Sequence, residues 1–130
     1  CKAADLVLIP CRPQAFDLTA VETTAGLVTA VGKPAFVIFM GGPQRAPTTY
    51  REARELIEGT AEVVGLGLRV APVMLTQRAI YHHSTADGRT AQEVEPEGKA
   101  AQEIAALGTW ASEQVNMTTR SRANRKARAA

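Results

Sequence analysis

The amino-acid sequence predicts an α/β fold: a partial parallel sheet of about three strands with flanking helices. Three short apolar runs predict the strands, at residues 6–9, 35–40 and 68–74. The first two runs are continuous rather than alternating, which is typical of strands covered on both faces of a parallel sheet. Helical patterns separate the runs, and this alternation indicates parallel strands joined by right-handed crossovers.

The first helix is expected to follow the first strand, with Asp17 as its N-cap. Gly32 and Pro34 are expected to end it. Apolar residues at helical spacing predict its buried stripe, namely Leu18, Val21, Ala25 and Val28.

A second helix is predicted from the capping-box pair Thr49 and Glu52, and it should end at Gly65 and Gly67. Its predicted stripe is Ala53, Leu56, Ile57 and Val64. The third strand contains Pro72, which cannot donate to a ladder and indicates a strand end or edge. A third helix should start after Pro96, with Trp110 beside a stripe of Ala100, Ile104, Leu107 and Ala111.

The composition is that of an ordinary globular chain. Its 130 residues suffice for one domain or a large piece of one, with 45% hydrophobic and 22% charged residues. No apolar run approaches the roughly 20 residues of a membrane span, and no secretory pattern opens the chain. The chain begins at Cys1 rather than Met, as expected of a fragment or of a protein that continues upstream.

The charge is unevenly distributed along the chain. The formal net charge is +2, yet residues 117–130 carry five basic residues and no acid, which leaves residues 1–116 at −3. We therefore divide the chain into an α/β region, 1–116, and a basic tail, 117–130, expected to be disordered. Such a tail indicates an anionic partner or a solvated terminus, and both interpretations stay open. The basic residues are Arg120, Arg122, Arg125, Lys126 and Arg128.

The two cysteines are not expected to form a disulfide. Ten residues of extended chain would separate Cys1 from Cys11 by about 33 Å, whereas a disulfide needs Cα atoms within about 7 Å. Reduced thiols are typical of a cytoplasmic protein.

Several candidate catalytic motifs fail on spacing. The segment Gly26–Lys33 has five residues between its glycines and Pro34 after its lysine, so it is not a phosphate-binding loop. The neighbouring histidines His82 and His83 have no ligand partners at zinc-like spacing, and no metal site is predicted. No serine stands in a nucleophile elbow. Cys11 is interpreted as a small buried residue, with a catalytic thiol as the alternative.

Two loops are the candidates for a ligand site, because ligands of open α/β sheets bind where parallel strands end. The first loop follows the strand at 6–9, and the second follows the strand at 35–40 and contains two glycines that permit close backbone approach. The candidate residues are Pro10, Arg12, Pro13, Gly41, Gly42 and Pro43.

Two sequence patterns resemble the carboxyl-terminal half of ParA-type partition ATPases, the deviant Walker family related to MinD. The first pattern is A-A-D-x-V-L-I-P followed by P-x-x-x-D, which matches Ala3 to Pro10, Pro13 and Asp17. The second begins R-x-A-Y/F, has a small-residue stretch that ends in Gly, and continues through Glu and Pro to K-A-A-x-E-I and Leu. It matches Arg78, Tyr81, Gly88, Glu93, Pro96, Lys99, Ala100, Ala101, Glu103, Ile104 and Leu107. The resemblance covers roughly residues 1–111.

The resemblance implies ATP-dependent homodimerisation, nonspecific DNA binding and slow hydrolysis stimulated by a centromere-binding ParB-like protein, in the service of plasmid or chromosome partition. The phosphate-binding loop and catalytic acids of that family belong to its amino-terminal half. This chain has none of them, so no catalytic residue is assigned. ATP and Mg²⁺ are expected only if a P-loop half is supplied. The chain also has Phe39 where relatives commonly place an adenine-contacting Asn.

The resemblance further implies a nonspecific DNA surface in the carboxyl half. Arg78 is its first candidate, followed by Arg89 and Lys99, and the five tail bases can bind phosphates through counterion release. Arg78 could instead cap a carbonyl or pair with an acid. The leading interpretation is therefore a ParA-like partition ATPase fragment. The alternatives are a stand-alone, non-catalytic DNA-binding module and, from a third class, an α/β enzyme that uses Cys11.

Overall fold

The computed structural model describes residues 3–130, with all of their side chains except those of residues 15–19. Strands and helices alternate along the chain, as the sequence predicts. The elements, in order, are β1 (Val7–Cys11), α1 (Ala15–Ala30), β2 (Ala35–Gly42), α2 (Pro47–Val63), β3 (Arg69–Val70), β4 (Leu75–Thr76), α3 (Ala79–Ala86), α4 (Ala91–Val94) and α5 (Lys99–Ala129).

The sheet is parallel and has β2 at its centre. Strand β1 pairs with one side of β2, in a register that runs from Val7 opposite Ala35 to Cys11 opposite Phe39. Strands β3 and β4 both pair with β2 in parallel, next to Phe36–Val37 and Met40–Gly42 respectively. The predicted α/β class is therefore confirmed. The third predicted strand, at 68–74, is shortened to the two residues of β3 before Pro72, which cannot donate to the ladder, and β4 begins at Leu75, just after the predicted run.

Helices cover both faces of the sheet. On one face, α1 and α2 pack against Ile9, Val37 and Phe39 in the main core. On the other face, Leu107 and Trp110 of α5 pack against Phe36 and Ile38. The Trp110 ring meets the Phe36 ring edge-on, with 4.9 Å between centroids. Burial on both faces explains why the β1 and β2 sequences are continuously apolar.

Both predicted N-caps are wrong. Helix α1 begins at Ala15 with Gln14 as N-cap, so Asp17 lies inside the helix. The chain leaves the sheet after Cys11, and Ala15, a strong helix former, starts the helix three residues beyond Arg12. Helix α2 begins at Pro47, before the predicted Thr49–Glu52 box. The proline has no N–H to lose at the first helical turn, and its fixed φ suits that position.

The buried stripes are partly as predicted. In α1, Val21, Ala25 and Val28 are buried, while the Leu18 side chain lies outside the described part. In α2, Ala53 and Ile57 are buried as expected. The predictions for Leu56 and Val64 are wrong, since they are 53% and 57% exposed. The buried face of α2 follows Tyr50, Ala53, Ile57 and Ala61 instead.

Helix α5 starts after Pro96, as predicted, and continues to Ala129. Residues 117–129 are therefore helical in the structure, where the sequence analysis expected a disordered tail. The physical reason is composition, since this stretch is rich in Ala, Arg and Lys and contains neither Gly nor Pro. The 31 residues of α5 span about 46 Å at 1.5 Å per residue.

Side chains of α2 satisfy the outer edge of β3. The Glu58 carboxylate accepts a hydrogen bond from the Val70 amide at 3.0 Å. The Arg54 guanidinium donates to the carbonyls of Val70 and Ala71, each at 3.0 Å. This edge is therefore protected from pairing with another chain.

Among residues 3–130, no helix combines the length and the apolar character that crossing a membrane requires.

Candidate functional site

A cleft of about 1190 Å³ opens at the carboxyl ends of β1, β2 and β4. Helix α1 borders it on one side, and helices α3 and α4 border it on the other. We call it the carboxyl-edge cleft. Its position is the one at which open α/β sheets bind ligands, and it contains three of the six residues that the sequence analysis placed near a nucleotide, namely Pro10, Arg12 and Gly41.

Pro10 and Arg12 stand where β1 ends. The Val7 amide donates to Pro34 on the β2 side, so the alternate residues Leu8 and Pro10 direct their backbone groups away from β2. Pro10 has no N–H to offer there, which suits an edge strand. Arg12 is exposed, and its Nε lies 3.8 Å from where a Cβ on Gly41 would stand. Gly41 has φ +65°, which favours glycine.

The other three predicted residues do not line the cleft but hold α2 against the sheet. A Cβ on Gly42 would lie 2.5 Å from the Tyr50 hydroxyl and 2.7 Å from Cγ of Pro13. The Tyr50 hydroxyl donates to the Pro43 carbonyl at 2.8 Å. Gly42, Pro13 and Pro43 therefore fit a packing role around Tyr50.

The wall of the cleft is fastened to α5 by a cluster that we call the carboxylate clamp. At its centre, the Glu103 carboxylate accepts hydrogen bonds from the Thr76 amide at 3.3 Å and the Thr76 hydroxyl at 2.8 Å. Arg78 donates to it through Nε at 3.1 Å and Nη2 at 2.7 Å, and the Tyr81 hydroxyl donates at 3.0 Å. The clamp thus joins β4, the start of α3 and α5.

The clamp changes the protonation equilibria of its members. Burial raises the pKa of Glu103, but the hydrogen bonds from Arg78, Thr76 and Tyr81 outweigh it, so the net pKa is below the usual 4.5. Burial, together with the hydrogen bond donated to Glu103, raises the pKa of Tyr81 to about 12. The hydrogen bond to Glu103 also raises the pKa of Arg78. At neutral pH the clamp therefore holds a carboxylate, a guanidinium and a neutral phenol.

This geometry bears on the predicted DNA contact of Arg78. The Arg78 and Glu103 side chains are only 18% and 17% exposed, and their charges neutralise each other at 2.7 Å. The structure thus favours the alternative weighed for Arg78, pairing with an acid, over direct contact with phosphates.

Helix α5 runs opposite to the strands. Its Glu103 meets Thr76 at the carboxyl edge of the sheet, and its Trp110 meets Phe36 near the amino edge. Further along, the Arg122 guanidinium donates to the Asp5 carboxylate at 3.1 Å, just before β1 begins. The last turns of α5 therefore extend beyond the amino edge, at the end of the sheet opposite the cleft.

The structure consequently divides the predicted DNA-binding residues into two groups. Arg89 lines the carboxyl-edge cleft, and Lys99 is the first residue of α5, four positions before Glu103. The five tail bases lie at the other end, and all five are exposed. The two groups do not form one continuous surface. The basic end of α5, defined as residues 120–128, contains five basic residues and no acid, and one of the five, Arg122, pairs with Asp5.

Other sequence candidates acquire structural roles. The glycine-lysine segment 26–33 lies in the last turns of α1 and the turn after it, so it closes a helix, as predicted. Phe39 is buried in the core, 5.9 Å from the Tyr50 ring. Cys11 is buried as interpreted, and its thiol donates to the Arg12 carbonyl at 3.1 Å. His82 and His83 are both exposed, and the described residues contain no group of three or more His, Cys, Asp or Glu able to hold a metal.

The clamp is what the sequence analysis missed. Arg78, Tyr81 and Glu103 were noted as parts of one pattern, but Glu103 and Tyr81 were given no role. Glu103 lies 22 positions after Tyr81 and 25 positions after Arg78, and no local periodicity connects residues at such separations. The available signal was an isolated acid, Glu103, next to the apolar stripe of α5.

Comparison with known proteins adds no family assignment, since neither a protein-family model nor a curated protein matches the chain.

Proposed function

We propose that this chain is the carboxyl-terminal half of a ParA-like partition ATPase domain and that it binds duplex DNA without sequence preference. The observation that carries the DNA-binding part is the exposed basic end of α5, which has five cations and no acid and in which only Arg122 pairs with a described carboxylate, that of Asp5. Cations presented in this way bind the phosphate backbone by releasing condensed counterions, and this binding carries no sequence information.

The tail composition favours nucleic acid over a membrane surface. Helices that lie on membranes bury a face of large apolar residues in the lipid. After Met117, the basic end of α5 contains no Leu, Ile, Val, Phe or Trp. It has charge for phosphates but no apolar face for insertion.

The ParA-like part of the proposal is supported by where the two patterns fall. The first pattern occupies β1 and the loop into α1, and the second runs from Arg78 to Leu107, through α3 and into α5. Residues of both patterns make structural contacts: Asp5 pairs with Arg122, and Glu103 centres the clamp. A cytoplasmic location, a homodimeric state and a centromere-binding partner belong to this proposal.

ATP and Mg²⁺ enter the proposal only through a P-loop half supplied from elsewhere. In such a complex, Pro10, Arg12 and Gly41 at the carboxyl-edge cleft would flank the nucleotide. Gly42, Pro13 and Pro43 would act indirectly, by holding α2 against the sheet around Tyr50.

The alternative function is a non-catalytic DNA-binding module that keeps the scaffold without a nucleotide site. The burial of Phe39, at 2% exposure, favours it, because this side chain is turned into the core at the position where relatives use an adenine contact. The two candidates share the DNA surface and differ in nucleotide dependence.

The experiment is a fluorescence anisotropy titration of the chain with duplexes of unrelated sequence. We expect equal affinity for each duplex and a large loss in the Arg125→Gln/Lys126→Gln variant. The matched control, Arg45→Gln/Arg51→Gln, removes the same charge from exposed residues away from the tail. Equal losses in the two variants would overturn the DNA proposal. Nucleotide-dependent dimerisation after a P-loop half is added would select the partition ATPase over the stand-alone module.

A further inference from the structure

We propose that the carboxyl-edge cleft is a binding site of the chain itself for a small organic anion, held by Arg12 and Arg89. This inference does not rest on the proposed DNA function, because the cleft and the basic end of α5 lie at opposite ends of the sheet. It requires neither a P-loop half nor a metal ion.

The charge of the cleft is the first support. Three arginines line it, Arg12, Arg78 and Arg89, and no carboxylate occurs among the lining side chains that the structure describes. The charge of Arg78 is cancelled by Glu103 in the clamp. The cleft therefore keeps the positive charges of Arg12 and Arg89, which favour an anion in a concave site with apolar walls.

The availability of these two guanidinium groups is the second support. Among the side chains that the structure describes, which do not include those of residues 15–19, neither guanidinium has a hydrogen-bond acceptor or an ion-pair partner, in contrast to Arg54, Arg78 and Arg122. Arg89 is the smallest of the influences on the pKa of Glu93, which is lowered mainly by hydrogen bonds from Thr90. Both arginines are thus able to present their forked donors to a carboxylate or phosphate.

The lining of the cleft indicates the rest of the ligand. The cleft is also lined by the apolar residues Ile9, Met40, Leu75 and Ile104. Met40 is 38% exposed, which is unusual for a large apolar side chain on a central strand. Ligand sites typically combine such an apolar lining with a few polar groups that fix orientation. The fitting ligand is therefore an anion attached to an apolar or aromatic body, rather than an inorganic ion.

The carboxylate clamp gives the site a rigid wall. Thr76, Arg78 and Tyr81 all line the cleft, and all three are bound to Glu103 of α5. Rigid support reduces the ordering that a ligand must bring about when it binds. Gly41 also lines the cleft, and its φ of +65° is a backbone conformation that favours glycine.

The test uses the intact chain and three probes: 1-naphthyl phosphate, 1-naphthol and inorganic phosphate. Calorimetric titration and amide chemical-shift mapping report affinity and position. We expect 1-naphthyl phosphate to bind at least tenfold more tightly than either fragment and to shift the signals of Arg12, Gly41 and Arg89. The variant Arg12→Gln/Arg89→Gln should lose at least tenfold in affinity, whereas the control Arg45→Gln/Arg51→Gln should not.

Three results would overturn the inference. They are equal affinity for 1-naphthol, an unchanged affinity in the Arg12→Gln/Arg89→Gln variant, and shifts confined to the basic end of α5. Both substituted arginines are exposed, and circular dichroism of the variant verifies that it folds. Unchanged DNA affinity in the Arg125→Gln/Lys126→Gln variant, with 1-naphthyl phosphate still bound at Arg12 and Arg89, would contradict the proposed function alone.

Discussion

The Glu103 side chain holds together three parts of the molecule that are distant in sequence. We expect Glu103→Gln to lower the free energy of unfolding by about 2 to 3 kcal/mol, because Arg78 would keep its charge in a largely buried position without a counter-charge. Urea denaturation measures the change. The control is Glu113→Gln, an exposed position on the same helix, and an equal effect at both positions would contradict the role of the clamp.

The depressed pKa of Glu103 also predicts how stability responds to acid. Burial acts to raise this pKa, and the hydrogen bonds from Arg78, Thr76 and Tyr81 lower it further than burial raises it. The contribution of Glu103 is therefore complete above its ordinary value of 4.5 and is lost as the pH falls through the lower folded value. Glu103→Gln should flatten the acid limb of a stability-against-pH curve. Parallel curves for variant and wild type would contradict this.

At alkaline pH the relevant group is Tyr81. Its pKa is raised from 10.0 to about 12, first by burial and then by the hydrogen bond to Glu103. The folded state prefers the neutral phenol, so this contribution is complete below pH 10 and decreases as the pH rises toward 12. Tyr81→Phe should make the alkaline decrease in the free energy of unfolding shallower. Part of the decrease should remain, because the pKa of the buried Tyr50 is also raised. An unchanged decline would show that the phenol of Tyr81 is not held in this way.

At the scale of elements, the packing of α2 on the sheet depends on Gly42. Gly42→Ala would place a methyl group 2.5 Å from the Tyr50 hydroxyl, and overpacking of this kind costs about 1 to 3 kcal/mol. Gly59→Ala is the matched control, because Gly59 lies within α2 in open space and alanine should stabilise the helix by about 0.5 to 1 kcal/mol. Thermal unfolding compares the two. Destabilisation by Gly59→Ala, or none by Gly42→Ala, would contradict the packing described.

Strands β1 and β2 were predictable from sequence because continuous apolar runs such as 35–40 have few other ways to be buried, whereas β4 lies outside the predicted runs. Helix starts were less predictable, since Pro47 and Ala15 begin helices by backbone preference while Thr49 and Asp17 carry the more familiar capping side chains. The Ala, Arg and Lys content of residues 117–129 favours a helix, whereas their net charge favours disorder, and in the structure the helical propensity prevails.

At the scale of the whole molecule, the sequence indicated which residues can bind anions but not which of them lie together. Arg12 and Arg89 are distant in the chain and line the same cleft, whereas Arg78 in the same cleft is neutralised by Glu103. Because α5 runs opposite to the strands, the tail lies at the other end of the sheet from Arg12 and Arg89. Such groupings depend on long-range contacts, which no local pattern encodes. The result is a molecule with two distinct electropositive sites at opposite ends of one sheet.

The measurement that tests the central claim most directly is the salt dependence of duplex DNA affinity for the wild-type chain and for the Arg120→Gln/Arg125→Gln/Lys126→Gln/Arg128→Gln variant. Four phosphate contacts by these residues predict a slope of about −4 in log affinity against log salt concentration, and the variant should lose most of that slope. Arg122 is left in place because it pairs with Asp5. A variant with the slope and affinity of the wild type would contradict the assignment of the DNA surface to the basic end of α5.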